Sequence, residues 1–333
     1  MKNKLLIPSV IFMFFVFIFN INLSFAESDN FISLKKQAEK GDAIAQDKLG
    51  RYYYGSHGDE NYHQAAIWLT KAAEQGNASA QYALGAMYSR GHGVPKNYDK
   101  MLKWYTCAAK QGMVEAQSDM GYTYENGRGV KQDYKQAAMW YQKAAEENYS
   151  AAQANLGRLY VTGLGVPQNY QLAKELFIKA ANKNEPMAEF NLARIYYLGL
   201  GVKMDYAAAA MWLQRSAGHH SMEAKNMLAF FYLNGLGGLP IDKNKAISLV
   251  KSSAEQGWGE AQNNLAMVYE EGLGEISKNS ILAYAWYATA YVNGKEEARK
   301  AKDNIASKLT HEEIRQANAL AEEYILKYSP RRN

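Results

Sequence analysis

A short motif recurs seven times along the 333-residue chain, as Leu or Met, then Gly or Ala, and a Tyr four residues after the first position. Successive copies are 35, 36, 36, 36, 36 and 37 residues apart. The first residues of the copies, which we call anchors, are Leu49, Leu84, Met120, Leu156, Leu192, Leu228 and Leu265. Self-similarity at this period indicates a stacked array in which each unit packs mainly on its neighbours. We therefore predict one elongated domain, although the length alone would suggest two.

One copy, residues 116–148, reads as two amphipathic helices joined by a glycine turn. Its anchor and Tyr124 lie about one turn apart and so share a helical face. Gly127 follows where the first helix must end, because glycine adopts the positive φ angle of a helix C-terminus. Asp133 is expected to cap the second helix through its side chain. The residues that give the second helix one apolar face are Ala137, Trp140, Ala144 and Ala145.

A Gly-x-Gly turn follows the tyrosine in six copies, and in the clearest case it continues through Val130 to Asp133 and Tyr134. The Leu-Gly and Tyr core is shared with tetratricopeptide repeats, whose period is about 34 residues. The longer period and the Gly-x-Gly-Val turn resemble instead the Sel1-like repeat family. This resemblance covers residues 41–294. It implies an all-α fold, a right-handed α/α superhelical solenoid of about seven helix-turn-helix repeats.

The N-terminus has the pattern of a signal peptide. Lys2 and Lys4 precede an apolar run at residues 5–19, and small residues at Ser24 and Ala26 match the positions that a signal peptidase reads. We expect residues 1–26 to be cleaved off and the chain to be periplasmic or secreted, with no membrane association afterwards. The alternative is an uncleaved anchor, because the apolar stretch is nearly long enough to span a bilayer.

Helices that close both ends of the array are expected outside the repeats. Residues 27–40 read as an N-terminal capping helix, and residues 295–328 as C-terminal capping helices. Thr310 and Glu313 have the spacing of a capping box at the start of the last helix. Polar end caps keep an array of this kind soluble. Residues 329–333 are expected to form a tail.

Composition gives little support to nucleic-acid binding, cofactors or metals. Residues 1–26 hold two of the 38 Lys and Arg and none of the 33 acids, so the mature chain has a formal charge of +3. This charge is too small to indicate a nucleic-acid partner. Cys107 is the only cysteine, so no intrachain disulfide can form, and we expect it to be buried as a small apolar residue. His219 and His220, in the last turn of a second helix, lack metal-site spacing. No cofactor and no metal site are predicted.

Two Ser-x-x-Lys strings, at residues 33–36 and 248–251, leave one enzymatic alternative open. Cysteine-rich Sel1-like proteins have been linked to penicillin binding and β-lactamase activity, and serine β-lactamases use this spacing. The resemblance therefore implies a rival function, a β-lactam hydrolase or peptidoglycan-active enzyme. The chain has no Lys-Thr-Gly motif and lacks the paired cysteines of that subgroup. We expect both strings to be surface residues of helices.

Positions five and two before each anchor, and two and five after it, form a stripe separate from the core face of the first helix. In tetratricopeptide relatives this stripe lines the concave groove, and it varies among the copies while the core positions do not. Since tyrosine and arginine dominate binding hot spots, we expect a peptide or helix of a partner protein to bind here. The candidate residues are Tyr82, Tyr122, Arg158, Phe190, Arg194 and Tyr197. Alternatively, several of them fill space between adjacent first helices.

The function expected from these observations is a non-catalytic scaffold or adaptor for protein interactions. The resemblance places exported bacterial members of the family either in envelope assembly or in contact with a eukaryotic host. The sequence does not choose between these two settings.

Overall fold

The computed structural model describes residues 30–329 and is built almost wholly of helices. Within this range the only β-type contact is an isolated bridge between Leu273 and Ile276. The chain packs as two compact units, one ending at Asp133 and the other beginning at Tyr134. The prediction of an all-α repeat solenoid is confirmed. The expected signal peptide, residues 1–26, and the last four residues of the chain lie outside the described range.

Each repeat supplies a first helix that bears the anchor and a second helix that follows the glycine turn. The first unit contains α1 (residues 30–39), α2 (Ala43–Gly55), α3 (Asp59–Glu74), α4 (Ala78–Arg90), α5 (Tyr98–Lys110) and α6 (Val114–Asn126). The repeats of the second unit contain α7 (Tyr134–Glu146), α8 (Ser150–Thr162), α9 (Tyr170–Ala181), α10 (Pro186–Leu198), α11 (Tyr206–Gly218), α12 (Met222–Asn234), α13 (Lys243–Glu255), α14 (Gly259–Glu271) and α15 (Ser280–Val292). They are followed by α16 (Glu297–Ala306) and α17 (His311–Tyr328). Within each unit, a helix packs mainly on those before and after it in the chain.

The glycine turns are shaped by both backbone angle and lack of space. Gly163 ends α8 in the left-handed conformation, with φ of 71°. Gly165 also has a positive φ, and a Cβ on it would lie 2.1 Å from the carbonyl oxygen of Tyr134. Only glycine satisfies both conditions, because any side chain would clash with the start of the second helix of the preceding repeat.

The second helices begin at caps of the expected kind. In the second unit, Asn169, Asp205, Asp242 and Asn279 each accept a hydrogen bond from the backbone N–H three residues later. The backbone N–H of each cap donates to the carbonyl of the tyrosine four residues after the anchor, as Asn169 does to Tyr160 at 2.9 Å. The backbone carbonyl of the recurring tyrosine therefore holds the turn in place. This hydrogen bond also satisfies one of the free carbonyl acceptors at the end of the first helix.

A buried glutamine three residues before the anchor, which the sequence analysis did not single out, links neighbouring repeats. Its Nε2 donates to the backbone carbonyl eight residues earlier, at the end of the preceding second helix or, for Gln46, of α1. The five glutamines are Gln46, Gln81, Gln117, Gln153 and Gln262. We call this contact the glutamine clasp. Each of these carbonyls also accepts from a backbone N–H in its own turn, so the buried amide adds a second hydrogen bond that ties one helix pair to the next.

Copies five and six replace the clasp glutamine by buried charges, Glu189 and Lys225. Glu189 is fully buried, and Arg215 Nε lies 2.6 Å from its Oε1, an ion contact without hydrogen-bond geometry. Arg215 also donates from a terminal nitrogen to the carbonyl of Ala181, at 2.5 Å. This carbonyl is the one that the clasp glutamine would engage, so the arginine takes over the donor role of the missing amide. His219 Nδ1 lies 2.8 Å from the other carboxylate oxygen.

The C-terminal helices pack against the last repeat. Both α16 and α17 contact α15, and Trp286 of α15 stacks on Tyr328 with ring centroids 5.3 Å apart. The predicted capping box at the start of α17 is confirmed. Thr310 Oγ1 accepts from the backbone N–H of Glu313, and the Glu313 carboxylate accepts from the N–H of Thr310 at 2.8 Å.

Candidate protein-binding surface

The structure separates the candidate positions into two rows with different surroundings. The upstream row consists of residues two before each anchor, and the downstream row of residues two after. Members of the upstream row are buried or half-buried: Asp47, Tyr82, Ser118, Ala154, Phe190, Asn226 and Asn263. Most members of the downstream row are exposed: Arg51, Tyr122, Arg194, Phe230 and Met267, with Ala86 and Arg158 half-buried. The side chains available to a partner therefore lie mainly in the downstream row.

Tyr82, a candidate of the upstream row, takes part in packing within the first unit. Its hydroxyl donates to Asp119 Oδ2 at 3.0 Å, and its ring stacks on Tyr105 with centroids 5.4 Å apart. Burial raises the pKa of the Asp119 carboxyl, although hydrogen bonds from Tyr82 and Tyr105 act to lower it. Burial also raises the pKa of Tyr105, and the nearby Asp119 charge raises it further. Tyr82 thus helps to hold the half-buried carboxyl of Asp119 in place between α4 and α6.

Tyr122 presents a different environment on α6 of the same unit. Its side chain is 42% exposed, and the Arg128 guanidinium lies 4.7 Å from its ring centroid. A terminal nitrogen of Arg128 also donates to the Tyr122 hydroxyl at 3.2 Å. The pair forms an aromatic and cationic surface of the type enriched at protein interfaces.

In the second unit, Phe190 and Tyr197 flank a buried cluster of α10 to α12 that includes Leu213, Leu228 and Phe231. The ring of Tyr197 is 5.7 Å from that of Phe231 and meets it at 51°. Phe190 and Tyr197 are half-buried, so each contributes to packing while keeping part of its surface open.

Phe230 extends this aromatic surface toward the next repeat, and it is a residue that the list of six candidates left out. Its ring is 6.5 Å from that of Tyr197 in a perpendicular arrangement, and its side chain is 44% exposed. Met267 holds the same position in copy seven and is equally exposed. Periodicity placed both residues in the downstream row, but the six candidates, chosen mainly for tyrosine and arginine, did not include them.

The arginines lie in the preceding two repeats of the same unit. Arg194 is exposed on α10, where a terminal nitrogen is 3.5 Å from Asn191 Oδ1. Arg158 is half-buried on α8, a helix that contains no acidic residue. The one acid of α10 is Glu189, which is fully buried against Arg215 and His219. The surface that α8 and α10 present to solvent is therefore positive.

The Ser-x-x-Lys strings do not form an enclosed catalytic site. Ser248 and Lys251 are exposed and line an open cavity together with the carboxylates of Glu255 and Glu275. Two carboxylates would repel β-lactams, which carry a carboxylate of their own. The enzymatic alternative gains no support from this arrangement.

The other string is equally open. Ser33 is exposed on α1 and accepts a hydrogen bond from Gln37 Nε2 at 3.3 Å. A Ser-Asp-Asn triplet, a partner motif of β-lactamases, does occur at residues 28–30, and its first two residues lie outside the described range. It precedes Ser33 by only five residues.

Between residues 30 and 329 no cluster of His, Cys, Asp and Glu is arranged to hold a metal ion. In that same range no helix combines the length and apolar character needed to cross a membrane. His219, in the predicted last turn, follows α11 as its C-cap and contacts Glu189. Cys107 is half-buried, whereas the sequence predicted a buried residue.

Comparison with known proteins matches the repeats to one family. The sequence model of the Sel1 repeat matches residues 43–77, 78–113, 114–149, 150–185, 186–219, 223–258 and 259–294. Repeats of this type are generally protein-interaction scaffolds. Among curated proteins, no significant match to this chain was found.

Solved structures include similar proteins. A Sel1 repeat protein from Oxalobacter formigenes is 33% identical, with a TM-score of 0.68, and the match covers 74% of this chain and 96% of that one. A protective antigen of uropathogenic Escherichia coli, described as having an SLR fold, is 27% identical over 90% of this chain and 80% of its own, with a TM-score of 0.48.

Proposed function

This chain belongs to the Sel1 repeat family, and on that basis we propose that it is a non-catalytic scaffold, exported by a bacterium, that binds a segment of another protein on its first helices. One observation carries the proposal. Four consecutive first helices of the second unit each present one large side chain from the same position of the repeat: Arg158, Arg194, Phe230 and Met267.

Packing does not account for this row. The anchors two residues earlier are buried, and so are the small residues beside them, as Leu192 and Ala193 illustrate on α10. Arg194, Phe230 and Met267 remain exposed, although burial of the last two would favour folding. Arginine and aromatic side chains dominate binding hot spots, and a row of them along stacked helices offers a partner several contacts at once. In the first unit, Tyr122 with Arg128 offers the same chemistry.

Export is part of the proposal and rests on the signal-peptide pattern of residues 1–26. Two settings agree with it, assembly of the bacterial envelope and contact with a eukaryotic host. The mass of the mature protein, recovered from periplasm and culture medium, tests this point. A chain beginning at Glu27 is expected, and a retained apolar segment in the membrane fraction would contradict cleavage.

The binding surface is tested by cross-linking. A photo-reactive phenylalanine analogue at Phe230 is used to capture partners from bacterial envelope extract and from eukaryotic cell lysate. The same experiment is repeated with Arg158→Glu and Arg194→Glu combined. Lys300→Glu, at an exposed position of α16, is the control for a change in net charge.

A partner captured by the wild type and by the control, but not by the double variant, supports an adaptor, and the extract identifies its setting. The thermal stability of the double variant is compared with that of the wild type, because Arg158 is half-buried and loss of folding must be separated from loss of binding. Capture that survives the double substitution would show that the binding surface lies elsewhere on the chain.

A further inference from the structure

The downstream row of the second unit changes its chemistry from one end to the other. Arg158 and Arg194 occupy it on α8 and α10, whereas Phe230 and Met267 occupy it on α12 and α14. We propose that this row binds an extended segment of another protein that carries acidic residues at one end and apolar residues at the other. The inference rests on the proposed scaffold function and specifies the chemistry of its partner.

Charge complementarity determines which end is acidic. On α8 and α10 no carboxylate is exposed, since Glu189 is fully buried. Arg194 therefore offers its guanidinium to a carboxylate of the partner, the group that arginine binds in a bidentate manner. Beyond Met267, α14 carries Glu270 and Glu271, which disfavour an acidic segment at that end.

The apolar end also offers hydrogen-bonding groups to a backbone. Asn226 precedes Phe230 by four residues and Asn263 precedes Met267 by four, so each half-buried amide shares a helical face with an apolar side chain. Asn226 Oδ1 already accepts from Asn264 Nδ2 at 3.0 Å, and Asn263 Nδ2 lies 3.8 Å from Met267 Sδ, so a partner meets the Nδ2 of Asn226 and the Oδ1 of Asn263. Side-chain amides both donate and accept, and they match the unpaired N–H and C=O groups of an extended chain. A bound helix would have no use for them, because its backbone groups are already paired. These amides favour an extended partner.

The repeat spacing sets the spacing of the partner residues. A helix with its side chains is about 10–12 Å across, and an extended chain advances about 3.3 Å per residue, so the step from one first helix to the next corresponds to about three partner residues. The ring centroids of Tyr197 and Phe230, which belong to neighbouring repeats, are 6.5 Å apart, so one partner segment can contact side chains of both repeats. The preferred segment thus has acids at its first and fourth positions and bulky apolar residues at its seventh and tenth, in one chain direction or the reverse.

The test uses labelled synthetic peptides of about 12 residues, a length that spans four repeats, and fluorescence anisotropy with the full chain. The first peptide has aspartates and leucines in the stated order on a Ser and Thr background, and a second is the same sequence reversed. A third replaces the aspartates by lysines, and a fourth has the original composition with acidic and apolar residues interleaved. We expect the better of the first two to bind at least about tenfold more tightly than the third and fourth.

Two protein variants assign the binding to the row. Arg194→Glu should weaken binding of the aspartate peptide by about tenfold and strengthen binding of the lysine peptide, while Lys300→Glu should change neither. Arg194→Gln, which has the length of the glutamate variant without its charge, should fall between the wild type and Arg194→Glu. Phe230→Ala should weaken binding of both peptides.

Equal binding of the interleaved peptide, or no response to Arg194→Glu, would overturn the inference. Equal binding of a peptide cross-linked into a helix would overturn the extended conformation. If none of the peptides binds but cross-linking at Phe230 still captures a partner that requires the arginines, the scaffold function stands and the proposed partner chemistry is wrong. Absence of both peptide binding and capture would count against both.

Discussion

At the scale of single residues, the small residue after each anchor sets how closely the two helices of a repeat approach. On α8 this residue is Gly157, where an added Cβ would lie 2.7 Å from Cε1 of Phe177, a fully buried ring of α9. We predict that Gly157→Ala lowers the free energy of unfolding by about 1–3 kcal/mol, because overpacking forces side chains or backbone to shift. Urea unfolding followed by circular dichroism measures this.

Gly218, at the end of α11, provides the control. A Cβ there meets nothing within 4 Å and the residue has a helical backbone, so Gly218→Ala should raise stability by up to about 1 kcal/mol. Two glycines in helices of one unit are thus expected to respond with opposite signs. Equal responses would contradict steric contact at Phe177 as the cause.

Asp119 gives the chain a predicted dependence of stability on pH. Burial raises the pKa of this carboxyl in the folded chain above its ordinary 3.8, so the folded chain holds the proton more tightly than the unfolded chain. The stabilisation that comes from this tighter proton binding is fully present below the pKa of Asp119 in the unfolded chain. It is lost as pH rises through the pKa of Asp119 in the folded chain. The Asp119→Asn variant has no charge to desolvate. Its free energy of unfolding, relative to that of the wild type, should therefore increase as pH rises.

Urea unfolding at about pH 3.5 and at about pH 7 measures this difference, with the larger advantage of the asparagine variant expected at neutral pH. Asp99→Asn is the control. Asp99 is exposed in the first turn of α5, where a negative charge is favourable, and its replacement should slightly lower stability at neutral pH. An advantage of Asp119→Asn that is larger in acid would contradict the burial argument.

The sequence predicted the repeat core and the turns because their periodicity is visible in one chain. It could not separate the two candidate rows. Phe190 and Phe230 are equally apolar and lie at equally variable positions, yet Phe190 is half-buried and Phe230 is exposed. The difference in exposure depends on how neighbouring helices pack against each residue. The residue pattern within a single helix does not encode that packing. The clasp glutamines were missed because glutamine usually marks a surface position, although their recurrence three residues before the anchor was available as a signal.

At the scale of helices, the glutamine clasp and its variant in copy five perform the same task with different chemistry. Arg215→Ala should destabilise the chain by about 3–5 kcal/mol, mainly because it removes the principal cation from fully buried Glu189, and also because the Ala181 carbonyl loses its side-chain donor. Adding Glu189→Gln should recover much of this loss, since the amide can then donate to that carbonyl as Gln153 does to Ala145 at 3.2 Å.

A double-mutant cycle by urea unfolding measures the coupling between the two positions. Glu189→Gln alone keeps Arg215 in competition for the carbonyl and should be less favourable than in the Arg215→Ala background. Losses that simply add would show that the arginine does not replace the clasp. Arg299→Ala, an exposed cation of α16 that lies 6.0 Å from the ring of Tyr291, is the control for removal of an arginine.

At the scale of the whole molecule, stability is distributed along the array, because each helix contacts mainly its neighbours in the chain. Removal of one complete repeat, residues 150–185, should therefore leave a folded protein, since α7 would be followed by α10, another first helix with an anchor and a buried small residue after it. We expect the helical signal per residue to stay the same, and the melting temperature to fall because the array has lost one interface.

Removal of residues 150–167 alone tests whether the repeat is the structural unit. This smaller deletion takes away α8 but leaves α9, so a second helix would follow another second helix and Phe177 would lose the glycine it packs against. We expect loss of cooperative thermal unfolding and of helical signal, even though half as many residues are removed. If the shorter deletion were tolerated as well as the longer one, the helix and not the repeat would be the unit of folding. Binding through Arg194 and Phe230 would then have to be reassessed as a property of individual helices.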